Sequence, residues 1–211
     1  MRICFLSAEY SPFAKTGGLG DVAAALTRHL ALRGHDVRTF VPLHGQMDLR
    51  GVDLHPVDFL QDLTVRVGHH DVHYGVRTAR VPGSDLWVYL VDCPALFDRP
   101  RIYSDAHDEH VRYLMLTRAA LECCQRMGFA PQIVHANDWH TAFAPLLLRT
   151  AYAWDTACFG GTKSVFTIHN IGYQGVFSAG QAGDLAPGVG IESLHQPDLA
   201  AGRVNPMRHA V

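Results

Sequence analysis

A chain of 211 residues is long enough for one sizeable core, and at roughly 100 to 200 residues per domain it holds one domain, perhaps with an appendage. Its 48% hydrophobic and 18% charged residues describe a globular chain, and a net charge of −2 without a lysine or arginine run excludes an electrostatic nucleic-acid binder. No stretch could span a bilayer, Glu9 and Pro12 cut the opening apolar run too short for a signal peptide, and five cysteines without C-x-x-C spacing fit reduced thiols in a cytoplasmic protein.

Along the chain, Ile3-Cys4-Phe5-Leu6-Ser7-Ala8 reads as a buried strand and Val22 to Leu32 as a helix, with Gly34 as its C-cap. Val37 to Val41 then reads as a second strand, ended by Pro42 and parallel to the first by a right-handed crossover. Leu63 to Val67 and Val72 to Val76 alternate in polarity about a Gly68 to Asp71 tip, the pattern of a hairpin. Leu86 to Val91 is a more continuous apolar strand. Asp108 to Met127 reads as a helix closed by Gly128, with Val111, Leu114, Met115, Ala119 and Cys123 on its inner face. Ile133 to His135 is a buried strand, Thr141 to Arg149 a helix, and Ser164 to Ile168 a further strand. This alternation predicts an α/β fold: a Rossmann-like, doubly wound, mostly parallel sheet with helices on both faces, plus a β-hairpin insertion. From Ser178 onward the pattern weakens, and a helical signal after Asn205 is cut off at Val211. The chain is therefore expected to be a truncated domain.

Lys15-Thr16-Gly17-Gly18-Leu19-Gly20-Asp21 places a cation and three glycines between a strand and a helix. Glycine permits close backbone approach, and the free amides of a helix start favour an anion. A glycine-rich helix start with a solvated lysine reads equally well on spacing alone. Neither G-x-G-x-x-G nor G-x-x-x-x-G-K-[ST] is present, which disfavours NAD and P-loop chemistry. Ligands of open α/β sheets bind beyond the carboxyl ends of the strands. Three loops qualify: Glu9 to Asp21, Ala136 to His140, and His169 to Gly175.

Each polar residue also has a plainer reading. Asp138 is a natural cap for a helix starting near Thr141, His169 and Asn170 a turn pair, Trp139 a packing residue, and His135 a core histidine. His69, His70 and His73 read as a solvated hairpin tip rather than a metal site, because three or four converging ligands are needed.

Taken together, Ser7-Ala8-Glu9, Lys15 to Val22, His135-Ala136-Asn137-Asp138-Trp139-His140 and Thr167 to Gly175 resemble, in order and spacing, the bacterial glycogen synthases and plant starch synthases. Phe97-Asp98-Arg99-Pro100 with Ile102-Tyr103, and Gly202 to Asn205, resemble further segments of that family. The resemblance covers nearly all of residues 1–211 and implies the amino-terminal half of a GT-B glycosyltransferase, with the carboxy-terminal domain absent. It implies retaining transfer of glucose from ADP-glucose to the non-reducing end of an α-1,4-glucan such as glycogen, without metal or cofactor. By resemblance Lys15 contacts the diphosphate or donor sugar, the Gly17 and Gly18 amides cradle it, and Tyr103 and His169 line the glucose pocket. Asp138 organises the reacting centre, Asn170 lies on the same rim, and Glu9 and Asp21 are further candidates, Glu9 by orienting Lys15 or an acceptor hydroxyl. The paired-glutamate motif and adenine pocket of the family are not found here, so the isolated chain is expected to bind ADP-glucose weakly and not to elongate glucan. A noncatalytic glucan- or nucleotide-sugar-binding module, or a sucrose or trehalose-phosphate synthase, stand as the alternatives.

Overall fold

The computed structural model describes all residues from Met1 to Val211. Strand β1 (Arg2–Leu6), helix α1 (Gly18–Leu32) and β2 (Asp36–Pro42) form the first crossover. Then come β3 (Leu54–Pro56), β4 (Leu63–Val67), β5 (His70–Arg80), β6 (Trp87–Asp92), the short α2 (Pro94–Phe97) and the long α3 (Glu109–Arg126). The remainder runs β7 (Ile133–Asn137), α4 (Asp138–Thr141), α5 (Ala144–Arg149), α6 (Thr156–Phe159), β8 (Lys163–Thr167), β9 (Phe177–Ser178), α7 (Gln196–Ala200) and β10 (Arg203–Val204).

The main sheet has the order β3-β5-β6-β2-β1-β7-β8, with β4 paired to β5. The pairs from β6 through β8 are parallel, whereas β3, β4 and β6 meet β5 antiparallel. Successive strand residues point to opposite faces, so β1 feeds two cores at once. Cys4 and Leu6 join α3 residues in one cluster, while Ile3 and Phe5 pack with Ala23, Leu26 and Leu30 of α1 in the other. The sheet is thus covered on both faces, as the alternation of elements predicts. In α1 the repeat Leu19, Ala23, Thr27 is the buried stripe, the Thr27 hydroxyl being satisfied by the Ala23 carbonyl, and the helix closes at Arg33 with Gly34 at φ +80°.

Several elements differ from the sequence reading. The hairpin tip is only Gly68-His69, since Val67 pairs directly with His70. Its second strand continues to Arg80 and pairs with β6 from Gly75 to Arg80, so the hairpin is joined to the main sheet through β5, with β4 off the main strand order. The helix read from Thr141 to Arg149 is two pieces, α4 and α5. Pro145 lies in the first turn of α5, where its missing N–H costs nothing, whereas inside one continuous helix it would break the ladder. Helix α3 is buried on nearly all sides, from His110 through Cys124, because β-strands cover one flank and α4 and α5 the other. The tail folds as 3₁₀ turns, α7 and the β9–β10 pair, and its final turn, Pro206–His209, is 3₁₀ rather than the start of an α-helix.

One edge of the sheet is apolar and open. Val165 on β8, then Ile168, Ile171, Tyr173 and Val176 on the following segment, are exposed, and β8 has a neighbour only on the β7 side. Unpaired strand edges with apolar side chains recruit other chains. The 211-residue polypeptide should therefore self-associate at micromolar concentrations in sedimentation velocity, and Val165→Lys should return it toward a monomer. Identical sedimentation of the two chains would rule this out.

Candidate functional site

Strand order reverses at β1: the chain winds outward through β2 and β6, then returns to place β7 on the other side of β1. At such a switch point the loops leaving adjacent strands diverge and open a crevice. A cleft of about 800 Å³ lies there, walled by Glu9, Thr16, Gly17 and Gly18 after β1, by Tyr103 and Ser104, by Asp138 to His140 after β7, and by His169, Asn170 and Tyr173 after β8. The three loops singled out in the sequence do converge on one rim.

Glu9 is 2% exposed and all its bonds are internal. Oε1 accepts from Thr16 Oγ1 at 2.6 Å and from the Tyr103 hydroxyl at 2.5 Å, while Oε2 accepts from the amides of Thr16 at 2.8 Å and Gly17 at 3.3 Å. Burial opposes its charge, but these donors outweigh burial and hold its pKa below the ordinary glutamate value. Glu9 thus orients neither Lys15 nor an acceptor hydroxyl. It ties the glycine turn to the Tyr103 loop, and its lone pairs are used up in doing so. Tyr103 is a donor in that bond and stays protonated, since burial and then the Glu9 charge push its pKa far up.

The glycine turn works by clearance. Gly17, at φ −150°, is the N-cap residue of α1 and has no side-chain cap, so the first-turn amides are left for an outside partner. A Cβ at Gly20 would sit 3.1 Å from the Ala14 carbonyl, which explains that glycine. Lys15 and Asp21 are not in the wall of the cleft. They form an ion pair at 2.6 Å with both side chains about half exposed, because Lys15 precedes the helix start and Asp21 lies in its first turn.

Asp138 does not cap its own helix in the ordinary way. Asn137 is the N-cap residue of α4, and Asp138, at φ +55°, turns its carboxylate across to the next loop. Oδ1 accepts from the amides of His169 at 2.6 Å and Asn170 at 3.1 Å. Asn170 in turn accepts from the Gly172 amide through Oδ1 at 3.0 Å, so it is both a turn residue and a cleft residue. The His169 ring meets Asn137, with Nε2 2.9 Å from Asn137 Oδ1. Gly175, at φ +64°, lies against the Trp139 ring so closely that a Cβ there would overlap it. Trp139 is therefore a packing residue that also reaches the cleft.

Sequence reasoning missed the support behind Tyr103. Arg112 on α3 is fully buried and donates to Glu109 at 2.7 Å and to the carbonyls of Leu96 and Ile102 at 2.8 and 3.0 Å. Glu109 accepts from the Ser104 amide and hydroxyl at 3.1 and 2.6 Å. These residues hide in a helix whose periodicity reads as plain core. His140, buried and neutral, stacks on Tyr103 with ring centroids 4.7 Å apart. His135 is a core histidine as expected, against Phe5 and bonded to Thr167 Oγ1 at 2.8 Å. Of the hairpin histidines, His73 meets Thr64 Oγ1 at 3.0 Å, and the chain holds no group of three metal-ligating side chains.

The buried ionisable groups make the fold acid-sensitive. Burial lowers His44, His135 and His209 to about 4, below the ordinary 6.5, so the unfolded chain takes up protons that the folded one refuses. Stability should fall as pH drops from 6.5 to about 4, by up to roughly 1.4 kcal/mol per pH unit for each histidine, then level off. Urea midpoints against pH test this, and His135→Gln should flatten the curve. Glu9 is the acid counterpart: its lowered pKa stabilises the fold above pH 4.5, and this is lost as pH falls through the folded value. Glu9→Gln should cost about 1 to 3 kcal/mol at pH 7, because one amide N–H must face a donor. The difference from wild type should shrink below pH 4.5, and a pH-independent difference would contradict the assignment.

A parallel α/β layer whose switch-point loops and uncapped helix start face one cleft is of the doubly wound, Rossmann-like class, in which ligand sites lie beyond the carboxyl ends of the strands. Residues 2–211 match the family described as the starch synthase catalytic domain, and the chain belongs to it. The glycogen synthase of Myxococcus xanthus is 42% identical over 192 residues, 88% of this chain and 39% of that protein. That of Aeromonas salmonicida is 40% identical over 185 residues, 86% of this chain and 37% of that protein. The catalytic domain of starch synthase IV from Arabidopsis thaliana, bound to ADP and acarbose, matches with a TM-score of 0.87 at 32% identity over 99% of this chain and 42% of that one. The chain spans about two fifths of the length of these relatives.

Proposed function

We propose that this chain supplies one wall of the active site of an ADP-glucose-dependent glycogen or starch synthase, a glycosyltransferase that passes glucose with retention to the non-reducing end of an α-1,4-glucan. The observation that carries the reading is the shared cleft: the uncapped start of α1 and the Asp138–His169 loop face the same space. Family membership and the neighbour's bound ADP and acarbose support the ligand class.

On this reading the leaving ADP is met by the Gly18 amide at the uncapped start of α1 and by Lys15, while Gly17, whose own amide is held by Glu9, lets the ligand approach because it has no side chain. The helix end alone contributes about 0.3 to 1 kcal/mol toward one charge, so Lys15 has to add to it. An exposed ion pair is worth at most about 1 kcal/mol, so a diphosphate can draw Lys15 away from Asp21 at little cost. Asp138 uses one carboxylate oxygen on the His169 loop and keeps Oδ2 for the reacting centre, where positive charge develops on the sugar. Tyr103 contributes its ring rather than its hydroxyl, which Glu9 occupies. No metal or cofactor has a part in this scheme. Five unpaired cysteines fit a cytoplasmic site of action.

The remaining three fifths of the relatives' length is expected to carry the rest of the donor site. The isolated chain should bind ADP-glucose weakly, in the millimolar range, and incorporate no labelled glucose into glycogen. NMR titration should shift Gly17, Gly18, His169 and Asn170, and Lys15→Gln should weaken binding about tenfold, equivalent to about 1.4 kcal/mol. Shifts confined to other surfaces would overturn the reading, and a stronger response to UDP-glucose would reassign the donor.

A further inference from the structure

We propose that Asn137 is a positioning residue that locks the His169 imidazole with Nε2–H turned into the fold, leaving Nδ1 as a bare acceptor for a ligand hydroxyl. Asn137 is the last residue of β7 and is fully buried. Its amide orientation is settled by what surrounds it. Nδ2 donates to the Leu6 carbonyl on β1 at 2.9 Å, so the oxygen faces the other way. Asn137 Oδ1 then lies 2.9 Å from His169 Nε2, and an amide oxygen can only accept, so Nε2 carries the proton.

The backbone is held as firmly. The Asn137 amide donates to Thr141 Oγ1 at 2.6 Å, and Thr141 Oγ1 lies 3.0 Å from the Asn137 carbonyl. On the other side, the His169 amide donates to Asp138 Oδ1, so consecutive residues of β7 and α4 grip the same histidine by ring and by main chain. The titratable group next to the ring is His135, itself neutral because of burial, while the Asp138 carboxylate bonds the main-chain amide of the same residue. With Nε2 engaged, Nδ1 is the ring atom without a protein partner, and His169 lines the cleft. A neutral imidazole held in one tautomer presents a fixed acceptor, and the partner of the other nitrogen sets which tautomer that is. That the incoming donor is a sugar hydroxyl rests on the function proposed above, whereas the tautomer does not.

The test is ¹⁵N-histidine NMR on this chain, with His169 assigned by loss of its signals in His169→Gln. In wild type at pH 8 a slowly exchanging Hε2 proton should be seen on His169, with Nδ1 unprotonated. Asn137→Ala should abolish the Hε2 signal by opening it to solvent, while amide dispersion reports that the fold persists. Asn137→Asp should retain the signal and raise the pH of ring protonation by about one to three units, since a carboxylate then faces Nε2. Should the alanine variant fail to fold, wild type and the aspartate variant decide. An Nδ1–H tautomer in wild type, no detectable Hε2, or an Hε2 signal unchanged in Asn137→Ala would overturn the assignment. If the tautomer is as stated but ADP-glucose leaves the His169 nitrogens unmoved, Asn137 keeps its role and the donor reading falls.

Discussion

Two carboxylates, Glu9 and Asp138, sit almost fully buried just past the ends of neighbouring strands, and the rim of the cleft is organised around their need for donors. A carboxylate out of water is costly unless several hydrogen bonds replace its hydration. Glu9 meets that demand from the Thr16–Gly17 turn and from Tyr103, which is 94 positions away. Asp138 meets it from the amides of His169 and Asn170, 31 and 32 positions on. Each charge therefore ties together segments that the chain alone would leave independent.

A third buried carboxylate extends the same logic outward. Glu109 joins the Ser104 turn to Arg112, and Arg112 pins the carbonyls of Leu96 and Ile102 in the segment leading into Tyr103. The Tyr103 wall is thus braced from the core, by a helix that is itself packed on nearly all sides. The Lys15–Asp21 pair, outside the wall of the cleft, is of another kind, half exposed and weak. The cleft wall is thus held by buried, charge-assisted bonds, whereas the Lys15–Asp21 pair is held by one exposed contact.

The sheet explains why these groups meet at all. Because β1 lies between β2 and β7 and each pairing is parallel, every loop leaving a carboxyl end emerges on one rim. Asn137 closes the seam between β1 and β7 through Leu6 and, in the same side chain, reaches His169. One residue serves sheet pairing and ring orientation together, so fold and site are not separable there.

Much of this was legible in the sequence. Buried strands of parallel-sheet type, the helix over 22–32, the closures at Gly34 and Gly128, and three polar loops past strand ends follow from local pattern, because periodicity and turn chemistry act within a few residues. The motif order pointed to the family, and Glu9, Gly17, Gly18, Tyr103, Asp138, His169 and Asn170 do surround one cleft. What each side chain bonds to was not legible. Glu9 holding Tyr103 instead of Lys15, Asp138 gripping the His169 loop instead of capping a helix, and the hairpin extending into the main sheet all depend on partners distant in sequence. Residue types along the chain determine which groups must be satisfied or buried; only the folded arrangement decides by whom, since desolvation and hydrogen bonding are settled between neighbours in space.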